Sequence, residues 1–369
     1  MAKKKECQES CRLGKVGGQA VLEGVMMKAG KHTVTTCRKE DKSIVVNDDS
    51  FVSVRKKHKI LNLPIVRGVV NMIEMLALSV KTLGASAEAL GIEEEEGKLE
   101  KWLKKHFGVG VTSVVLTVGV VLGVLLAVCL FMFLPAGLAS LVNMATMHLW
   151  HYELDPVLKS LIEGALKATI FVVYLWAVSL MPDIKRTFMY HGAEHKTIAC
   201  YEAGEELTPE NAMKHSRFHP RCGTSFMFFM ILLGIVAGMI INGFLPDEYS
   251  KFYVFIRLLI LPLLVGLGYE YIMFAGKHDN IITRFLSAPG LWVQRLTTKE
   301  PTDDMLEIAI ISTKCALRDE VPEFMDFFNA RPWEKKPEAA EPLHESTERA
   351  IDEAESVAEV TEEKEGESK

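Results

Sequence analysis

The chain has 369 residues, a formal net charge of -6 and an apolar content of 49%. That content, with a positive mean hydropathy, excludes an ordinary soluble protein and makes the bilayer the solvent for much of the chain. No basic, aromatic-rich surface is evident, so nucleic acid is not an expected partner.

The expected fold class is mainly α, a polytopic helical membrane protein with about four transmembrane helices and a small N-terminal cytoplasmic β-rich element. Residues 1–59 lack helical periodicity and read as short strands at His32 to Arg38, Ser43 to Asn47 and Phe51 to Arg55. The glycine-rich stretch Gly17 to Met27 is not a phosphate loop, because no Gly-Lys-Ser/Thr follows. Its glycines read as tight turns around a strand. Residues 60–108 hold a helix with Arg67, Asn71 and Glu74 along one stripe, suited to packing against the membrane part or lying at its interface, and then a charged linker from Glu93.

The transmembrane domain is expected over 109–299. A hydrocarbon core needs about 20 apolar residues, and four runs suffice: Val111 to Leu134, closed by Pro135, then Ser160 to Met181, Thr224 to Leu245 and Phe252 to Ala275. Lys185, Arg186, Lys196, Lys214, Arg217 and Arg221 lie between the second and third runs, whereas the other connections carry only Lys159 and Lys251. Positive charge stays inside, so the loop 183–222 and both termini are expected in the cytoplasm. No secretory signal is expected to open the chain. Residues 300–330 read as a cytoplasmic amphipathic helix, and 337–369 as a disordered acidic tail. Seven cysteines without a C-x-x-C pair do not suggest a disulfide framework.

Within the loop, His191-Gly192-Ala193-Glu194-His195 reads H-x-x-E-H. On a helix the two histidines share a face at i and i+4, with Glu194 beside them. This order marks a metallopeptidase class in which the histidines hold zinc and the glutamate activates water. Zinc or another divalent transition metal needs further ligands, and His219, Cys222 and Glu270 are the candidates. Glu202, seven residues beyond His195, is displaced by about 10 Å along a helix, too far to join the same ion. Three readings stay open: a catalytic metal with Glu194 as general base, a closed structural zinc on His191, His195, His219 and Cys222, and no metal.

Gly17 to Met27, Tyr190 to Lys196, His219 to Thr224, Tyr269-Glu270, Pro289 to Trp292 and Thr297 to Pro301 together resemble the YqhQ-like family of bacterial multipass membrane proteins. The resemblance implies a bacterial inner-membrane protein, a domain of unknown function described as a metal-dependent enzyme, and no particular substrate. Two functions follow from the whole reading. One is a zinc-dependent hydrolase at the membrane face. The other is a non-enzymatic accessory protein of a membrane assembly, for insertion or transport, with the bilayer, other membrane proteins or copies of itself as partners. A transporter is a third reading, for which the spans hold few polar groups.

Overall fold

The computed structural model describes residues 12–91, 111–244, 252–276 and 280–334. The charged linker from Glu93 and the acidic tail fall outside them.

The N-terminal element is a four-stranded antiparallel meander of β1 (Val16–Val21), β2 (Gly24–Ala29), β3 (His32–Arg38) and β4 (Ile44–Ser50). The glycine-rich stretch forms its first hairpin, in register Val21↔Gly24, with Glu23 left-handed at the turn. Gly24 is obligatory, since a Cβ there would stand 2.2 Å from the Thr36 carbonyl. The strand expected at Phe51 to Arg55 is instead a turn of 3-10 helix, Val54–Lys56, capped by the Ser53 side chain. Glu74 draws the chain off the sheet there, accepting from the Val54 N–H and the Ser53 hydroxyl.

Helix α1 (Val66–Ala89) follows, then α2 (Val111–Val128), a π-helical turn (Cys129–Phe133), α3 (Leu134–Trp150) and α4 (Pro156–Ser179). Pro135 does not close the first span as expected. The chain stays helical through it to Trp150, because the π turn just before shifts the hydrogen-bond register where the proline has no N–H to give. Next come α5 (Pro182–Glu202), α6 (Pro209–Lys214), α7 (Gly223–Phe244), α8 (Tyr253–Ala275), α9 (Ile281–Thr297), α10 (Asp303–Ala316) and α11 (Pro322–Ala330). The loop 183–222 is therefore largely helical.

Among the described residues five helices are long and apolar enough to cross a membrane: α1, the α2–α3 helix, α4, α7 and α8. Large apolar side chains such as Leu259, Phe255 and Phe244 stand exposed on them, as on a lipid-facing perimeter. Helix α1 differs from the other four in what it touches. Its Leu78 packs with Val21, Met26 and Cys37 of the sheet, and its Thr82 hydroxyl accepts from the Gln19 amide at 2.5 Å. Gly68, nearer its start, fits against Tyr269 and Gly266 of α8. Helix α1 thus joins the bundle end to the sheet.

The sheet, α5 and α10 share one core of Val25, Met27, Val34, Tyr190, Met305, Leu306, Ile308 and Cys315 among others. Helix α10, expected to be amphipathic, is buried over nearly its whole circumference, because the sheet takes one side and α5 the other. The N-terminal sheet, α5 and α10 therefore build one extramembrane unit on one end of the bundle.

Candidate metal centre

Pro182 at the first position and Asp183 in the first turn start α5, which needs no preceding N–H partner there and favours an acidic residue. The helix carries His191 and His195 on one face, ring centroids 4.4 Å apart. Each ring is oriented by a main-chain carbonyl. His191 Nδ1 lies 2.8 Å from the Thr297 oxygen and His195 Nδ1 2.6 Å from the Arg217 oxygen. A carbonyl only accepts, so Nδ1 carries the proton in both rings, and in the neutral imidazole this tautomer leaves Nε2 as the atom that can bind a metal. This is how proteins orient metal-binding imidazoles. Burial also holds the His195 imidazole below its ordinary pKa, against the opposing pull of Cys222 and the Arg217 carbonyl.

Cys222 comes from the turn before α7. Its Sγ stands 3.3 Å from His191 Nε2 and 3.2 Å from the Thr224 hydroxyl. One ligand atom each from His191, His195 and Cys222 lies within 4.8 Å of the other two. Two imidazoles and a thiolate suit zinc and similar borderline transition metals, and three protein ligands leave a coordination position open.

His219 is near but turned away. Its ring centroid lies 5.6 Å from that of His195 with the two planes tilted by 43°, while its Nδ1 accepts from the Arg221 N–H at 3.3 Å and its Nε2 faces Glu202 at 3.6 Å. Glu202 also takes the Gly14 N–H at 2.8 Å and the Arg221 guanidinium. Burial would raise the Glu202 carboxyl, but the bonds from His219 and Gly14 and the Arg221 charge hold it below its usual range. Glu270 is not brought to the site at all. Its carboxylate is taken by the Arg67 guanidinium and the Ile65 N–H, which pin the start of α1 to α8.

Glu194 is buried and stands outside the group of close ligand atoms. It faces the first hairpin, where the Gly18 N–H bonds to it and a Cβ on Gly18 would lie 3.2 Å from its Oε1. Its Oε2 has no hydrogen-bond partner. Burial pushes its pKa up to about 7, against the lowering influence of His191 and Gly18.

Several supporting residues were not singled out from sequence. Gln294, fully buried on α9, accepts from the His219 N–H at 2.8 Å and donates to the His219 carbonyl and the Ser225 hydroxyl, clamping the Cys222 turn. Gly192 lets residues 297–301 lie directly on α5, since a Cβ there would meet the Lys299 oxygen at 2.0 Å. The signals were present as Gly17-Gly18 and Thr297 to Pro301, but their partners lie over 100 residues away. Lys196 and Arg217 are both engaged by Glu300, at 3.1 and 2.8 Å. A second group of Cys200, Glu205 and His215 is also compact. There the thiol donates to the Glu206 carbonyl and burial raises its pKa to about 11, so it behaves as a packing residue.

The model of the family described as a protein of unknown function, DUF1385, matches residues 63–319. The chain belongs to the DUF1385 family. It is also 36% identical over 308 residues to "Uncharacterized protein YqhQ" of Bacillus subtilis (strain 168), covering 82% of this chain and 92% of that one. No solved structure matches. The DUF1385 match spans every element that bears on His191, Glu194, His195 and Cys222 except the first hairpin.

Proposed function

We propose that this DUF1385 protein is a metal-dependent hydrolase of the bacterial inner membrane, with its extramembrane unit and both termini in the cytoplasm. The reading rests above all on the two imidazoles whose Nδ1 atoms are committed to the Thr297 and Arg217 carbonyls while their Nε2 atoms gather with the Cys222 thiol. A zinc-class cation held by His191, His195 and Cys222 supplies Lewis acidity and lowers the pKa of water. Glu194 is the general base. Its carboxylate takes a proton as water attacks the substrate and returns it to the leaving group, for which a pKa near the working pH is suited. Gly18 holds one of its oxygens and leaves the other for that proton. His219 serves from behind, keeping the Cys222 turn on α5 through Glu202 and Arg221. The cationic residues from Lys185 to Arg221 support the cytoplasmic assignment. Cys222 immediately precedes α7, a helix of membrane-crossing length, which favours substrates presented at the membrane surface.

The test compares detergent-purified wild type with Glu194→Gln for metal content and for hydrolysis of an ester, peptide and phosphodiester panel. The expected result is about one metal per chain in both and turnover in the wild type only. Full turnover by Glu194→Gln would overturn the assignment of the base. Ligand variants that lose a stoichiometric protein partner, with no hydrolysis in the wild type, would favour an accessory protein with a structural metal.

A further inference from the structure

A second polar cluster lies inside the bundle, far from the metal centre. Glu163 of α4 accepts from the Arg257 guanidinium of α8, and Lys167, one turn further along α4, stands 3.8 Å from the same carboxylate oxygen. Glu163 lies sixteen residues before the end of α4 at Ser179, about 24 Å along the helix from the extramembrane unit. Two cations therefore share one carboxylate within an apolar span, leaving an excess positive charge where uncompensated charge is costly. The Arg257 Nε, buried, has no hydrogen-bond partner. Gly238 of α7 leaves room for this guanidinium, with a Cβ position 3.6 Å from its Nη2.

These three charged groups and Ser160 sit on the wall of a cavity of about 440 Å³, otherwise apolar and lined by residues such as Ala127, Val128, Phe131, Ile235 and Leu261. The volume is in the range of small-ligand pockets. The wall joins the π turn of the first long span to α4, α7 and α8, so it is built from elements that face lipid.

We infer that this cavity is a binding site for an anionic phospholipid of the bilayer, its phosphate neutralising Arg257 and Lys167 and one acyl chain filling the apolar wall between the first long span and α7. The charge balance selects the headgroup: one anion completes a cluster of two cations and one carboxylate. A zwitterionic headgroup would bring its own cation into the same place. The apolar lining selects an amphiphile over free phosphate, which has nothing to set against Phe131 or Leu261.

The test is native mass spectrometry of the full chain released from detergent after titration with phosphatidylglycerol, phosphatidylcholine or palmitate. The expected result is one phosphatidylglycerol per chain, preferred at least tenfold over phosphatidylcholine. The preference should vanish in Arg257→Gln, binding should be lost in Ala127→Trp, which fills the apolar wall without touching a charge, and His191→Ala should bind as wild type does. Equal binding of the two phospholipids, or retention of the preference in Arg257→Gln, would overturn the inference. Tighter binding of palmitate would assign the site to a free fatty acid. If Arg257→Gln does not fold, Lys167→Gln tests the charge, and the wild-type preference stands or falls by itself. No readout depends on turnover, so failure here leaves the metal centre untouched.

Discussion

Glu194 combines full burial with an unpartnered Oε2, and its protonation should govern the stability of the metal-free protein. Its ordinary value of 4.5 is raised to about 7 in the fold. The folded state therefore holds the proton more tightly than the unfolded chain, and losing it destabilises the fold progressively from pH 4.5 to 7, fully above that and not at all below. Glu194→Gln keeps an acceptor for the Gly18 N–H and removes the charge. In metal-free protein it should raise thermal stability at pH 8 by up to about 3 kcal/mol, and the gain should vanish towards pH 4.5. Melting curves across that range check this, and a gain independent of pH would contradict it. A bound cation favours the charged carboxylate and should shrink the effect. Gly192 acts at the same scale. Gly192→Ala would push residues 297–301 off α5 and cost His191 its Thr297 carbonyl, so metal affinity, measured by chelator competition, should fall about 10–100-fold.

At the scale of elements, the clamp by α9 makes the site depend on a residue that touches no ligand. Gln294→Ala would leave the buried His219 N–H unpaired and its carbonyl with only the 3.3 Å bond from the Cys222 N–H, and should cost about 1–3 kcal/mol. Metal affinity should fall with it, and denaturant unfolding beside chelator titration would show whether the two go together. The sequence was informative wherever the determinant is local. H-x-x-E-H is legible because i and i+4 fix the two histidines on one face of whatever helix forms, and β3 is legible because Thr33 to Thr36 is a run of β-branched residues. It was misleading where a remote partner decides. Pro135 reads as a stop only if the preceding turn cannot shift register, and the π turn at Cys129–Phe133 does so. The apolar run Met305 to Ile311 reads as one face of a helix, yet the sheet and α5 cover both sides. Glu270 looked available as a ligand because nothing near it in sequence reveals that Arg67 holds it.

At the scale of the whole molecule, the shared core of sheet, α5 and α10 sets the topology. Residues before α1, between α4 and α7 and after α8 lie in one unit, so the chain crosses the bilayer an even number of times. Of the five candidate spans α1 is the one tied to the sheet, by Leu78 and Thr82, as well as to α8 by Gly68, and the proposed topology takes the other four as the crossings. Single cysteines at the exposed positions Lys31 and Glu323 should therefore resist a membrane-impermeant maleimide in intact cells, and one at Glu153 should react. Labelling of Lys31→Cys and Glu323→Cys on opposite sides would contradict the crossing count, and the reversed pattern would contradict only the orientation.

The central claim is that His191, His195 and Cys222 hold one metal with a position left open, and X-ray absorption at the metal edge of the purified protein tests it most directly. The account predicts one sulfur at about 2.3 Å and two imidazole nitrogens at about 2.0–2.1 Å, with a light oxygen or nitrogen atom completing the shell. The sulfur should disappear in Cys222→Ser, and the shell should be unchanged in Glu270→Gln. A metal-free wild type, or a shell without sulfur, would contradict it.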